Sequence, residues 1–129
     1  MNFLKSFVLL LGLSTVPSCN ATPQQAPAVE HAVIVNFTYG STNLQPMFDL
    51  EEKLDNAITK AKVGEYDGNE IAVDGSDGIL YMYGPDADRL FEIIKPILES
   101  ASFMRGAKVT LRYGPPEDGV PEKVVAIDL

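Results

Sequence analysis

The sequence predicts a small α+β domain in which two helices cover one face of an antiparallel sheet. A length of 129 residues fits one domain, and a composition of 46% hydrophobic and 22% charged residues is typical of a globular protein. Alternating and helical hydrophobic patterns follow each other in the order strand, helix, strand, strand, helix, strand, and a further strand ends the chain. These three observations predict one two-layer fold.

The first strand is predicted over Glu30–Tyr39, where apolar residues alternate from Val33 onward. Ile34 breaks this alternation and suggests partial cover on the other face of the strand. Residues 40–43 (GSTN) supply turn and N-cap side chains, and Pro46 fits the first turn of a helix. The apolar residues that follow recur at helical spacing and comprise Met47, Leu50, Leu54, Ala57, Ile58 and Ala61.

A hairpin is predicted next. Residues 63–73 form a poorer strand, interrupted by two glycines, of which Gly68 marks a possible bulge. Residues 74–78 (DGSDG) are a strong turn signal, and residues 79–83 (ILYMY) form the returning strand.

A second helix opens at residues 84–88 (GPDAD), and Pro96 inside it is expected to kink the helix or end it early. A strand over residues 107–113, a Pro-rich loop over 114–121 and a last strand over 123–129 complete the chain. This order is the split βαβ pattern of a ferredoxin-like fold, with the first and third strands at the sheet centre and an extra C-terminal strand. The alternative is an unrelated two-layer α+β sandwich with another strand order.

Residues 1–19 resemble a bacterial lipoprotein signal peptide. Lys5 gives a positive start, and residues 7–13 form an apolar core too short to span a bilayer. Val16, Pro17 and Ser18 then lead to Cys19 as in a lipobox, although Val16 and Pro17 depart from the commonest residues. The resemblance implies that Cys19 becomes the acylated N-terminus.

The alternative is an ordinary signal peptide, cut by the general signal peptidase, which leaves Cys19 as a free thiol. Cys19 is the only cysteine and cannot form an internal disulfide, so a lipid anchor accounts for it better. Residues 20–29 read as a flexible tether to a single domain over residues 30–129. The expected location is the bacterial cell envelope, outside the cytoplasm, and Asn20 favours the outer membrane by resemblance to lipoprotein sorting signals.

The formal net charge is −8, and it becomes −9 once Lys5 is removed with the leader. A surface this acidic repels nucleic-acid phosphates, so nucleic acid is not an expected partner. Basic proteins or cations remain possible partners. The favoured alternative is that the negative charge only keeps the protein soluble.

The stretch EYDGNEIAVDGSDGILYMYGPDADRLFEIIKPILES, followed by RGAKVTLRYGPPEDG, resembles a group of small bacterial proteins of uncharacterised function. The resemblance covers about residues 33–129. It implies no activity, cofactor or catalytic residue.

An acidic run invites a calcium interpretation, and it comprises Asp67, Asn69, Glu70, Asp74, Ser76 and Asp77. An EF-hand loop beginning at Asp67 fails, because its sixth position is Ala72 and its twelfth is Gly78. A looser cation site at the turn competes with a plain hairpin turn, which is favoured. His31 is the only histidine and has no companion ligands for zinc. No metal and no cofactor are expected.

Catalytic groups are equally sparse. Ser41 precedes a helix and is interpreted as a cap rather than a nucleophile, because no G-x-S-x-G motif is present. Asp86 and Asp88 occupy the start of the second helix and would repel an anion there. The start of the first helix stays open as a weak anion site.

Tyrosines supply the remaining candidate site. In residues 79–83, aliphatic packing against the helices favours Leu80 and Met82 inward, which would expose Tyr81 and Tyr83 on the helix-free face. For the five tyrosines of the chain taken together, however, the core is the favoured interpretation, and the helix-free face is the alternative. In the strand over residues 107–113, Val109, Leu111 and Tyr113 are predicted inward, and Lys108, Thr110 and Arg112 outward. The predicted binding residues are therefore Tyr81, Tyr83, Lys108 and Arg112.

The sequence thus favours a non-enzymatic lipoprotein domain that binds another protein in the cell envelope, as an inhibitor or immunity-type partner. Two alternatives stay open. One is a small-ligand or cation-binding module that uses the acidic hairpin, and the other is an enzyme with an unrecognised carboxylate site.

Overall fold

The computed structural model describes residues 30–129. The predicted leader, Cys19 and the predicted tether lie outside the described residues, so they remain predictions. The described chain folds as β1 (His31–Thr38), α1 (Gln45–Ala61), β2 (Glu65–Ile71), β3 (Asp77–Gly84), α2 (Ala87–Glu99), a short 3₁₀ helix (Ser102–Met104), β4 (Lys108–Arg112) and β5 (Glu122–Ala126).

The strands form one antiparallel sheet in the order β2-β3-β1-β4-β5. This order is that of a ferredoxin-like fold with an extra C-terminal strand at the edge, and it confirms the predicted fold class. β1 and β3 are neighbours inside the sheet, as right-handed crossovers require.

The hydrophobic core lies between one face of the sheet and the two helices. α1 buries Met47, Leu50, Leu54 and Ile58, which recur every three or four residues along one helix face. The opposing strand residues also have essentially no exposed surface, and they are Val33, Val35, Leu80, Met82, Val109 and Leu111. Each of the larger side chains contributes roughly 1.5–3 kcal/mol by leaving water.

The start of α1 differs from the prediction. Leu44 is the N-cap residue and makes no side-chain cap hydrogen bond. Ser41 Oγ instead accepts the Asn43 N–H at 3.0 Å, and Asn43 Oδ1 accepts the Gln45 N–H at 3.2 Å. The prediction that Ser41 caps the helix is therefore wrong, because its hydroxyl satisfies the turn before the helix, whereas the Asn43 side chain does bond to Gln45, the first residue of α1.

The second helix also runs further than expected. Asp86 caps it, since its Oδ1 accepts the Arg89 N–H at 3.1 Å. The helix then continues past Pro96 to Glu99, so the helix does not end early at the proline, and the other expectation, a kink, stays a prediction. Pro96 costs the helix one main-chain hydrogen bond, but the burial of the neighbouring side chains outweighs this cost, since Ile94 and Leu98 are completely buried.

The β2–β3 hairpin carries the predicted bulge. The pairing register shifts between Tyr66 and Gly68, and Gly68 has φ of +144°. At the other end of the hairpin, the Gly75 carbonyl accepts hydrogen bonds from the N–H groups of Gly40 and Ser41. The hairpin turn is therefore fastened to the β1–α1 loop.

Candidate binding face

The face of the sheet opposite the helices is the surface on which the predicted binding residues meet. The strand registers place three rows of side chains there, each running across all five strands, and we call this surface the open face. Its members on the three central strands are Ala32, Ile34, Asn36, Ile79, Tyr81, Tyr83, Lys108, Thr110 and Arg112. Its members on the edge strands are Glu65, Gly68, Glu70, Glu122, Val124 and Ala126.

Tyr81 and Tyr83 lie on the open face and are partly exposed, whereas Leu80 and Met82 are fully buried against the helices. The division of side chains expected from aliphatic packing in β3 is confirmed, and the favoured interpretation of the tyrosines as core residues is wrong for Tyr81 and Tyr83. The physical reason is the two-residue period of a strand, which sends the aliphatic pair to one side and the tyrosines to the other.

The two tyrosine hydroxyls stay protonated well above neutral pH. Partial desolvation, and then the hydrogen bond that Tyr81 donates to Glu70 Oε2 at 3.2 Å, raise the pKa of Tyr81. Desolvation and the nearby Asp67 carboxylate raise the pKa of Tyr83, and Arg112 opposes this rise. Tyr83 therefore offers a hydroxyl donor beside an aromatic ring, whereas the Tyr81 hydroxyl proton is already donated to Glu70.

Tyr83 and Arg112 flank Ala32 in one row of the open face. Ala32 is completely buried even though no helix covers that side of β1. The two long side chains beside it therefore close over its methyl group. Arg112 Nε also donates to the Gly114 carbonyl at 2.8 Å, which orients its guanidinium.

The next row forms an apolar centre. Ile34 lies between Tyr81 and Thr110, and Val124 follows on β5. Val124 is 62% exposed. Single exposed aliphatic residues are common, but here Ile34 and Val124 share one row with the Tyr81 ring and the Thr110 side chain.

Charges flank this apolar centre. Lys108 and Arg112 lie on the β4 side, and Glu65 and Glu70 lie on the β2 side. Within residues 30–129, neither Lys108 nor Arg112 lies within 4.0 Å of a carboxylate oxygen. Both cations are therefore available to another molecule.

Two open grooves of about 350 and 320 Å³ mark the two ends of this surface. The first is lined in part by Asn36, Ile79, Arg105 and Lys108, and the second by residues of the bulge with both tyrosines. Grooves this shallow suit protruding side chains of a macromolecule better than an enclosed small ligand.

The residues of the acidic run do not converge. Asp74 Oδ1 accepts the Ser76 N–H at 3.0 Å, as in an ordinary Asx turn. Hydrogen bonds from the side chain and then from the backbone of Ser76 lower the pKa of Asp74. Asn69 and Glu70 point to different partners, Glu51 and Tyr81. Over the described range, 30–129, no group of three or more His, Cys, Asp or Glu side chains could hold a metal ion.

The His31 side chain binds the first turn of α2. Its Nδ1 accepts the Ala87 N–H at 3.1 Å, and its ring packs edge-on against Tyr113 at a centroid distance of 5.7 Å. Tyr113 lies on the helix side, as predicted, and its hydroxyl donates to Asp88 Oδ1 at 2.7 Å. That hydrogen bond, and then desolvation, raise the pKa of Tyr113.

Sequence reasoning missed several members of the open face. Ile79 shares a side with Tyr81 by simple alternation but was not counted among the binding residues. Val124 was missed because strand register across the sheet is not visible in one strand's pattern. Ile34 did give a signal, since it breaks the alternation of β1. Glu51 of α1 was also missed, and it accepts hydrogen bonds from Tyr66 and Asn69, both at 2.5 Å.

No family model matches the chain, and comparisons with curated proteins and with solved structures find no match. Among the helices of residues 30–129, none has the length and apolar character needed to cross a membrane.

Proposed function

We propose that this protein is a non-enzymatic lipoprotein of the bacterial cell envelope whose domain binds another protein through the open face. The observation that carries the proposal is the row of Tyr81, Ile34, Thr110 and Val124, which no part of residues 30–129 covers. Tyrosine and arginine beside aliphatic side chains are the residue types that dominate protein interfaces. An inhibitor or immunity-type role fits a small tethered domain of this kind.

The distribution of polar groups supports a binding role over a catalytic one. In the part of the chain that the structure describes, no polar or charged residue is buried. Enzymes commonly hold desolvated acids or bases in a cleft to shift their pKa values. The one strongly perturbed group in residues 30–129 is Tyr66, whose hydrogen bond to Glu51 ties an edge strand to a helix.

The location rests on the leader. Residues 7–13 and the sequence VPSC at residues 16–19 favour export and acylation of Cys19. A lipid anchor and a short tether would hold the domain close to one membrane, where it meets envelope proteins.

The test is capture of proteins from envelope extracts by the immobilised full chain, with identification by mass spectrometry. Tyr81→Ala and Arg112→Glu should each weaken binding of a captured partner by about tenfold or more, as expected for interface anchors. Phe48→Ala removes a 48% exposed aromatic ring from α1, and Lys123→Glu reverses a charge on the helix side of β5. Both are matched controls that should bind normally.

The proposal fails if a specific partner binds the Tyr81→Ala and Arg112→Glu chains as tightly as it binds the unchanged chain. If only the Phe48→Ala chain binds the partner more weakly, the interface lies on the helices and not on the open face.

A further inference from the structure

The outer edge of β5 presents main-chain groups that pair with nothing in residues 30–129. Tyr113 N–H donates to the Pro121 carbonyl, and Ile127 N–H donates to the Ala107 carbonyl. Main-chain groups alternate in direction along a strand, so the odd-numbered residues of β5 point toward β4. Glu122, Val124 and Ala126 therefore direct their N–H and C=O groups away from the sheet.

The two edges of the sheet are not equally protected. At the β2 edge, a bulge between Tyr66 and Gly68 breaks the regular ladder, and Glu51 ties Tyr66 and Asn69 to α1. β5 is regular over its whole length, from the pair Lys108 and Ala126 to the pair Arg112 and Glu122. Proteins usually disrupt a free edge to prevent strand addition, so an undisrupted edge indicates a pairing surface.

We propose that β5 pairs with β5 of a second copy of this chain, antiparallel, about a two-fold axis at Val124. In this register Val124 lies opposite Val124, and Glu122 lies opposite Ala126. All three outward-facing residues of each copy are then satisfied, by about six main-chain hydrogen bonds. The two exposed Val124 side chains become neighbours on the open face.

Charge complementarity selects this register. Lys108 lies beside Ala126 in the sheet and has no carboxylate within 4.0 Å among residues 30–129. In the dimer, Glu122 of the second copy adjoins Ala126 on its other side. Because Ala126 is short, the Lys108 ammonium and that carboxylate can meet across it, once on each side of the two-fold axis. A symmetric register two residues away would instead place Lys123 opposite Lys123.

The pairing leaves the open face uncovered and joins two copies of it into one continuous surface. It does not depend on the proposed partner, because the contact uses the strand edge. An interface this small, below about 1,200 Å² in total, corresponds to a weak and reversible dimer.

Cysteine crosslinking of the full chain tests the register. Directly opposed residues in an antiparallel pair have Cα atoms about 5.5 Å apart, which a disulfide can span. Val124→Cys should therefore give a disulfide-linked dimer under mild oxidation. In Lys123→Cys the two thiols would be more than about 7 Å apart and should crosslink at least about tenfold more slowly. The unmodified chain, whose only cysteine is Cys19, sets the background.

A charge exchange tests the contact that selects the register. Lys108→Glu and Glu122→Lys should each weaken self-association in sedimentation equilibrium by about fivefold. The chain that carries both changes should recover most of the loss, because the opposite charges face each other again. Crosslinking of Val124→Cys no faster than that of Lys123→Cys would overturn the proposal, and so would a double variant no better than the weaker single one. Loss of the dimer in the Tyr81→Ala chain would also contradict the proposal, because it would show that the two copies associate through the open face instead of through the edge of β5.

Discussion

At the residue scale, single positions hold the hairpin and the edge of the sheet in place. Gly75 has φ of +73°, and a Cβ at this position would lie 2.1 Å from the Ser41 carbonyl oxygen. The same glycine accepts hydrogen bonds from Gly40 and Ser41. Glycine is therefore required at position 75 for two reasons: the backbone has a positive φ, and another backbone segment lies where a Cβ would be.

We expect Gly75→Ala to lower the free energy of unfolding by about 2–4 kcal/mol, since both strain and a backbone clash arise. Urea unfolding followed by circular dichroism measures the change. Gly40→Ala is the matched control, because Gly40 has nearly the same φ, +74°, but no atom within 4 Å of an added Cβ. It should cost only about 1–2 kcal/mol. Equal losses for the two variants would show that the contact with Ser41 is unimportant.

Tyr66 gives a prediction about pH. Burial, and then its hydrogen bond to the Glu51 carboxylate, raise the pKa of Tyr66 above its ordinary value of 10.0. The folded state holds this proton more tightly than the unfolded state. The resulting stabilisation is complete below pH 10.0 and is lost as the pH rises above it.

Tyr66→Phe should therefore cost about 1 kcal/mol near pH 8, from the lost hydrogen bond, but should weaken the fall in stability above pH 10. Urea unfolding at pH 8 and at pH 11 measures both effects. Tyr81→Phe, which removes a more exposed hydroxyl, should retain most of the alkaline loss. A Tyr66→Phe chain that loses as much stability as the unchanged chain between these pH values would refute the role of this tyrosine.

At the element scale, α2 shows how burial overrides a local signal. Pro96 has no N–H for the hydrogen bond to the Glu92 carbonyl, yet the helix continues to Glu99. The side chain of Pro96 is exposed, so packing does not require it. The core contacts of Ile94 and Leu98 keep the last turn helical.

We expect Pro96→Ala to stabilise the domain by about 1–3 kcal/mol, because it restores a helical hydrogen bond at an exposed position. The gain is partly offset by the greater freedom of the unfolded chain. Thermal and urea unfolding measure it, and Lys95→Ala at the preceding exposed position should change stability by less than about 0.5 kcal/mol. A destabilised Pro96→Ala chain would mean that the proline is needed for packing.

At the scale of the whole molecule, the proposed lipid anchor would determine where the open face can act. We expect the mature protein to partition into detergent, because acyl chains on Cys19 would hold it in a membrane. Cys19→Ala should release the domain into the soluble fraction or stop processing, whereas Ser18→Ala keeps a small residue and should partition normally. Phase separation followed by immunoblotting distinguishes these outcomes. Detergent partitioning of Cys19→Ala like that of the unchanged chain would disprove acylation.

The sequence by itself determined the order of the elements and the direction of the side chains within strands. Alternation in β3 and β4 is local, so it placed Leu80 and Val109 inward and Tyr81 and Arg112 outward without knowledge of neighbouring strands. Glycine at the bulge was equally readable, because its lack of a side chain is a property of one residue. The ferredoxin-like order followed from these elements and from the handedness of crossovers.

Only the tertiary structure decided which outward side chains become neighbours. The row of Ile34, Tyr81 and Val124 depends on the registers of non-consecutive strands, and a shift of one residue would turn each strand over. The start of α1 also differed from the prediction, since Ser41 bonds to the turn, whereas Asn43 bonds to Gln45 at the helix start. Register depends on contacts between distant parts of the chain, and local pattern does not record those contacts.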